Sequence, residues 1–161
     1  MSVFKSQFTR ALTVIKSDNA PIPFPAVVTS GTTTGVTASK LVCATATFIT
    51  SNVKPGDIVY NTTDSTAAVV TAVDSETQLS LNANIFTVIT KAFTIYQDSA
   101  QTGLGNTGCF LYVGGAGNVS VITTAGDSVI FSGVLAGTIL PVQVHNLNST
   151  STTATLINAL W

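Results

Sequence analysis

Few residues of this chain could carry chemistry. Gly103, Gly105 and Gly108 follow the spacing G-x-G-x-x-G, which cradles a pyrophosphate when it follows a strand and opens a helix. Here the spacing follows a polar turn and leads into Phe110-Leu111-Tyr112-Val113, so it reads as a linker. His145 is the only histidine. A hydrolytic triad needs such a base between a nucleophile and an orienting carboxylate, and no nucleophile-elbow motif is present. His145 therefore reads as a strand-end surface or interface residue. Cys43 and Cys109 are far apart, too few for a disulfide framework, and with one histidine they match no metal-ligand spacing. They read as small buried apolar side chains. Asp18, Asp57, Asp64, Asp74, Glu76, Asp98 and Asp127 fall mostly in turn segments, where Asp commonly bonds its own backbone. Asn61, Asn118 and Asn148 begin glycosylation-type triplets. In a chain this rich in Asn, Ser and Thr such matches arise by chance, and they read as unmodified. The expectation is a protein with no catalytic residue, no cofactor and no metal site, and so not an enzyme.

The totals point the same way. The chain has 161 residues, enough for one ordinary domain or two small ones. Only 8% of residues are charged, against about 25% in typical domains. With 45% hydrophobic residues the chain can bury a core and should fold. Soluble monomers usually carry mixed surface charge, so a surface of Thr, Ser, Ala and Val suits a protein buried in an assembly. Six basic residues and a net charge of −1, with no basic run, argue against a nucleic-acid partner. No positively charged start leads into an apolar run, so no secretory signal is expected. No apolar run approaches the roughly 20 residues that span a bilayer, so no membrane partner is expected.

The elements expected from the pattern are short strands. Residues 11–15 read as a strand ending an N-terminal arm, favoured over a short helix because β-branched residues dominate. Pro21, Pro23 and Pro25 form a stiff extended connector. A polar loop is expected at 30–35, one or two strands within 36–48, and a turn at Lys54-Pro55-Gly56-Asp57. Strands are expected at 58–60, 67–73, 78–81 and 93–96, with a single helical turn at 82–86. After a glycine-rich linker at 101–108, four or five strands follow. Among them is a hairpin around the 124–127 turn, with Val129 and Phe131 on one face and Ser128, Ile130 and Ser132 on the other. Leu140, Val142 and Val144 share a face, with Pro141 at an edge, a strand start or a bulge. The uncharged end at Trp161 should be docked.

The run Leu111-Tyr112-Val113-Gly114-Gly115-Ala116-Gly117-Asn118-Val119 carries a resemblance. So do Gly126-Asp127-Ser128-Val129-Ile130-Phe131, the run from Ala136 to Val144, and the ending from Ser151 to Trp161. Together with Ala11-Leu12-Thr13-Val14-Ile15-Lys16-Ser17-Asp18, they resemble the spike base protein family of tailed phages and gene transfer agents. In that family the opening strand runs almost directly into the Tyr-Val-Gly strand. Here residues 26–100 intervene. This middle piece is similar to a β module of various phage structural proteins, with Val53 to Asn61 its best-matching run. The resemblance implies an all-β fold: a β-sandwich or barrel-like base domain formed by residues 1–25 and 101–161, with a second small β module inserted at 26–100. It further implies a structural virion protein on the outer surface of the capsid, of spike base or cement type. Its partners would be the major capsid protein, itself as a symmetric homo-oligomer (pentamer or trimer), and a fibre protein.

Candidate contact residues are Phe4, Phe8, Arg10 and Trp161. Phe4 and Phe8 are large apolar side chains ahead of the first strand, where they attach to a neighbour or pack under their own base. Lys5, Arg10 and Lys16 add positive charge to the same arm. The rival reading is a tail or adhesion protein that binds a host surface glycan through the 61–66 turn with Tyr60 and Tyr96, whose aromatic rings otherwise serve the core.

Overall fold

A computed structural model describes residues 8–98 and 108–161. Among these residues the fold is all-β, with twelve strands in two curled antiparallel sheets. The first sheet has the order β1-β12-β8-β11-β9-β10. Its strands are β1 (Ala11–Thr13), β8 (Cys109–Gly115), β9 (Gly117–Thr123), β10 (Ser128–Val134), β11 (Thr138–Leu147) and β12 (Thr155–Leu160). The second has the order β2-β7-β4-β5-β6-β3. It comprises β2 (Val27–Thr32), β3 (Lys40–Val42), β4 (Ile58–Asn61), β5 (Thr66–Ser75), β6 (Gln78–Leu81) and β7 (Ala92–Tyr96). The chain thus starts in the first sheet, builds the whole of the second, and returns.

Alternation decides which side chains fill each sheet's core. In the first sheet Cys109, Leu111 and Val113 of β8, Val119 and Val121 of β9, and Ile157 and Ala159 of β12 point inward and are buried together. Leu140 and Val144 of β11 join them. The second sheet closes around Leu41, Phe48, Val59, Val70, Leu79, Phe86, Phe93 and Ile95. A third cluster joins the two sheets: Ala20, Ile58, Tyr60 and Ala67, flanked by Leu12, Ile15, Val69 and Tyr96. Strand β4 is therefore buried on both faces. Val59 looks into the second sheet's core, and Ile58 and Tyr60 look toward the segment that follows β1.

Several local expectations change. Residues 30–32, expected in a polar loop, belong to β2, which pairs with β7 along the sheet edge. Gly31 is needed there, because a side chain at that position would meet the Phe93 ring at 2.9 Å. Of the 36–48 segment only Lys40–Val42 is strand, and Phe48 reaches the core from a turn. The helical turn expected at 82–86 is absent. Asn82 there accepts the Val69 N–H (2.8 Å) and donates to the Asn19 carbonyl (2.6 Å), which holds the loop open enough for Phe86 to plug the core. Pro141 lies within the register shift between Leu140 and Val144. Trp161 is docked: its backbone exchanges hydrogen bonds with Arg10 at 3.0 and 3.1 Å.

Candidate interaction surface

The outer face of the first sheet is built by the residues that alternate with its core. The ladder sets Thr13 beside Asn158, Asn158 beside Tyr112, and Tyr112 beside Ile139. One row along, Ala11 lies beside Leu160 and Leu160 beside Phe110. Tyr112 is 36% exposed, Ile139 45%, and Leu156 of β12 74%. Phe8 extends the face by packing its ring on Phe110 at 5.6 Å. None of these side chains is charged. Indeed, Asp127 is the single charged residue between Gly108 and Trp161. A monomer facing water would normally place charge on such a face, and exposed apolar patches of this kind mark contact sites.

The candidate contact residues fall in different places. Phe4 lies outside the described residues. Phe8 sits on the outer face. Arg10 and Trp161 meet around Phe24 rather than on that face. The Arg10 guanidinium lies 5.0 Å from the Phe24 ring centre and donates to the Pro25 carbonyl at 3.2 Å. The Trp161 ring packs edge-on against Phe24 at 6.1 Å. The sequence pattern did not single out Tyr112, Ile139 and Leu156 as surface residues. In β8 both alternating sets are apolar, so periodicity alone could not say which face is covered.

The aromatic pair considered for glycan binding is placed differently. Tyr60 is 3% exposed and packs on Tyr96 at 5.3 Å within the junction between the sheets. Its hydroxyl completes no hydrogen bond among the described residues. Burial raises the pKa of the phenol. Tyr60 therefore offers no stacking platform. Asn61 is fully buried too. Its amide donates to Asp64 (2.9 Å) and the Ile85 carbonyl (2.8 Å), and its oxygen accepts the N–H groups of Thr63 and Asp64. The amide is spent on the turn and is not presented for modification.

A cleft of about 220 Å³ lies at the end of the second sheet, lined by Val27, Val28, Ser51, Asn52, Lys54, Asp57 and Gln97. Asp57 is 2% exposed there and accepts the N–H groups of Lys54 (2.8 Å) and Asp98 (3.2 Å). Burial raises its pKa, and these two hydrogen bonds oppose the rise. The carboxylate ties the Lys54–Asp57 turn to the end of β7. Among the described residues no three His, Cys, Asp or Glu side chains gather closely enough to hold a metal ion. Gly108, the last glycine of the G-x-G-x-x-G spacing, leads directly into β8 and not into a helix. Residues 103–107 lie outside the described residues. His145 sits in β11, where its carbonyl accepts the Ile22 N–H at 3.0 Å. No family model, curated protein or solved structure matches the chain.

Proposed function

We propose that the protein is a structural component of a virion that decorates or caps the capsid surface as a symmetric homo-oligomer. The observation that carries this reading is the uncharged apolar outer face of the first sheet, formed by Phe8, Phe110, Tyr112, Ile139, Leu156 and Leu160. A face of this kind gains from being covered, at about 1.5–3 kcal/mol for each large side chain fully buried, and repetition around a symmetric ring multiplies that gain. The residues that resemble the spike base family include the same strands, β8, β11 and β12. The divided base and the inserted β module belong to this proposal, as does the outer capsid surface as its location.

The test is co-sedimentation with capsids of the native chain and of a Y112K/I139K variant. Both substitutions sit on solvent-exposed positions and leave the cores untouched. The expected outcome is a variant that keeps the native Tm and loses capsid binding at least tenfold. Native protein that never sediments with capsids would reject the proposal. Antibody label on the virion tail rather than the head would favour the adhesion reading instead.

A further inference from the structure

Strand β10 forms one edge of the first sheet, and no described strand pairs with its outer side. Thr123 donates its N–H to the Asp127 carbonyl at 2.9 Å. With the register Val129↔Val121 and Phe131↔Val119, this fixes the alternation. Val129 and Phe131 spend their backbone groups on β9, while Ser128, Ile130 and Ser132 turn theirs outward. Edge strands are usually guarded by charge, proline or a bulge. The stretch 128–132 has no charge and no proline, and the register shift begins only after Phe131. Ile130 is 52% exposed. The opposite edge, β1, is three residues long and flanked by Arg10, which is held to Pro25 and Phe24.

We propose that β10 is a strand-addition site whose occupant is the β10 of a second copy, paired antiparallel about a two-fold axis through Ile130. The sequence Ser128-Val129-Ile130-Phe131-Ser132 reads the same in both directions by type: hydroxyl, apolar, apolar, apolar, hydroxyl. In this register Ile130 faces the partner's Ile130, Ser128 faces the partner's Ser132, and Val129 packs beside the partner's Phe131. The three outward-facing residues of each copy then complete about six new backbone hydrogen bonds. Asp127, the single charge nearby, faces the partner's Gly133 and not its own copy, so the pairing sets no like charges opposite each other. The contact closes at two subunits and joins two six-stranded sheets into one. It goes beyond the capsid reading and needs no capsid to form.

The experiment is the mass of the native chain by light scattering, alongside two double variants at the exposed positions 128 and 132. In S128K/S132K the two-fold sets lysine opposite lysine at both ends, which is destabilising for directly facing residues. In S128K/S132E it sets lysine opposite glutamate. The expected masses are twice 16.5 kDa for the native chain, half that for S128K/S132K, and twice again for S128K/S132E. An I130C variant should also form a covalent dimer on oxidation, because facing Cα atoms in such a pair lie about 5.5 Å apart, within disulfide range. Cys43 and Cys109 are buried and will not compete. A monomeric native chain overturns the proposal. So does a S128K/S132K variant that assembles like the native chain, or a S128K/S132E variant that fails to.

Discussion

Asp18 holds together two parts of the chain that are 131 residues apart. Its carboxylate accepts hydrogen bonds from Ser149 Oγ (2.6 Å), Thr150 Oγ1 (2.8 Å) and the Thr150 N–H (3.1 Å). The Ser149 hydroxyl, followed by the Thr150 backbone and hydroxyl, lowers its pKa below 3.8. Asp64, Asp74 and Glu76 are lowered as well, by Lys91, Lys40 and Thr50 respectively. A carboxylate with a depressed folded pKa contributes stability that is present above its unfolded pKa and is lost as pH falls through the folded value. Asp57 has the opposite sign. Its pKa is raised by burial, so its contribution is full below 3.8 and is lost as pH rises through the folded value. With four groups against one, the protein should lose thermal stability as pH drops below about 4. D18N should lower the Tm at pH 7 and flatten the acid limb. The side chain is exposed, so the loss is about 1 kcal/mol or less. Calorimetry across pH 2.5–7 checks both, and an acid limb identical to the native one would remove Asp18 from the account.

At the scale of elements, β9 depends on its first residue. Gly117 has φ 154°, and a side chain there would stand 2.5 Å from the Ala154 nitrogen and 2.8 Å from its Cα. The neighbour is backbone and cannot swing away, because the Thr153 and Ala154 N–H groups are both bonded to the Asn118 carbonyl. G117A should therefore cost about 3 kcal/mol, measured by chemical denaturation, while G126A, with open space around it, should cost less. Strands flanked by strong turn chemistry were legible in the sequence. Strand β6 occupies 78–81 as expected, β4 adds only Asn61 to its expected span, and β5 runs past its expected end at 73 to Ser75. Strand β2 was hidden because a Thr/Ser/Gly run at a sheet edge needs no apolar alternation. Phe48 and Phe86 misled in the other direction, since they are core residues supplied by turns. The hairpin of β9 and β10 was legible, but not the openness of β10, which follows from sheet order and not from alternation. The outer face was illegible for the reason that makes it notable. Phe110 and Tyr112 are as apolar as Leu111 and Val113, and only the fold says which pair is covered.

Over the whole molecule, charge and apolar surface are separated. Among the described residues nearly all charged side chains lie in the N-terminal segment and the second sheet, while the strands from β8 onward carry none and the turn between β9 and β10 carries one, Asp127. The junction cluster of Ala20, Ile58, Tyr60 and Ala67 couples the two regions. Ser17 Oγ adds a bond to the Ala67 carbonyl (3.1 Å), and Asn82 one to the Asn19 carbonyl (2.6 Å). Because β1 is held by β12 and its following segment by β4 and β5, the first sheet cannot open at β1 without exposing the face of the second that carries Ile58 and Tyr60. The protein should therefore melt in a single transition. A protease site inserted within 99–107 should leave residues 1–98 and 108–161 associated after cleavage, since β1 and β12 pair across the cut. Y60A in the uncut chain should lower the Tm of both sheets together, at about 3–5 kcal/mol for removing a large buried aromatic side chain. Tryptophan fluorescence from Trp161 reports the first sheet, and hydrogen exchange across β4 to β6 reports the second. Two separated transitions in Y60A, with only the second sheet shifted, would show that the sheets fold independently and that the junction is a contact between autonomous units. Coincident shifts would make the junction the element through which a load on the second sheet reaches the outer face of the first.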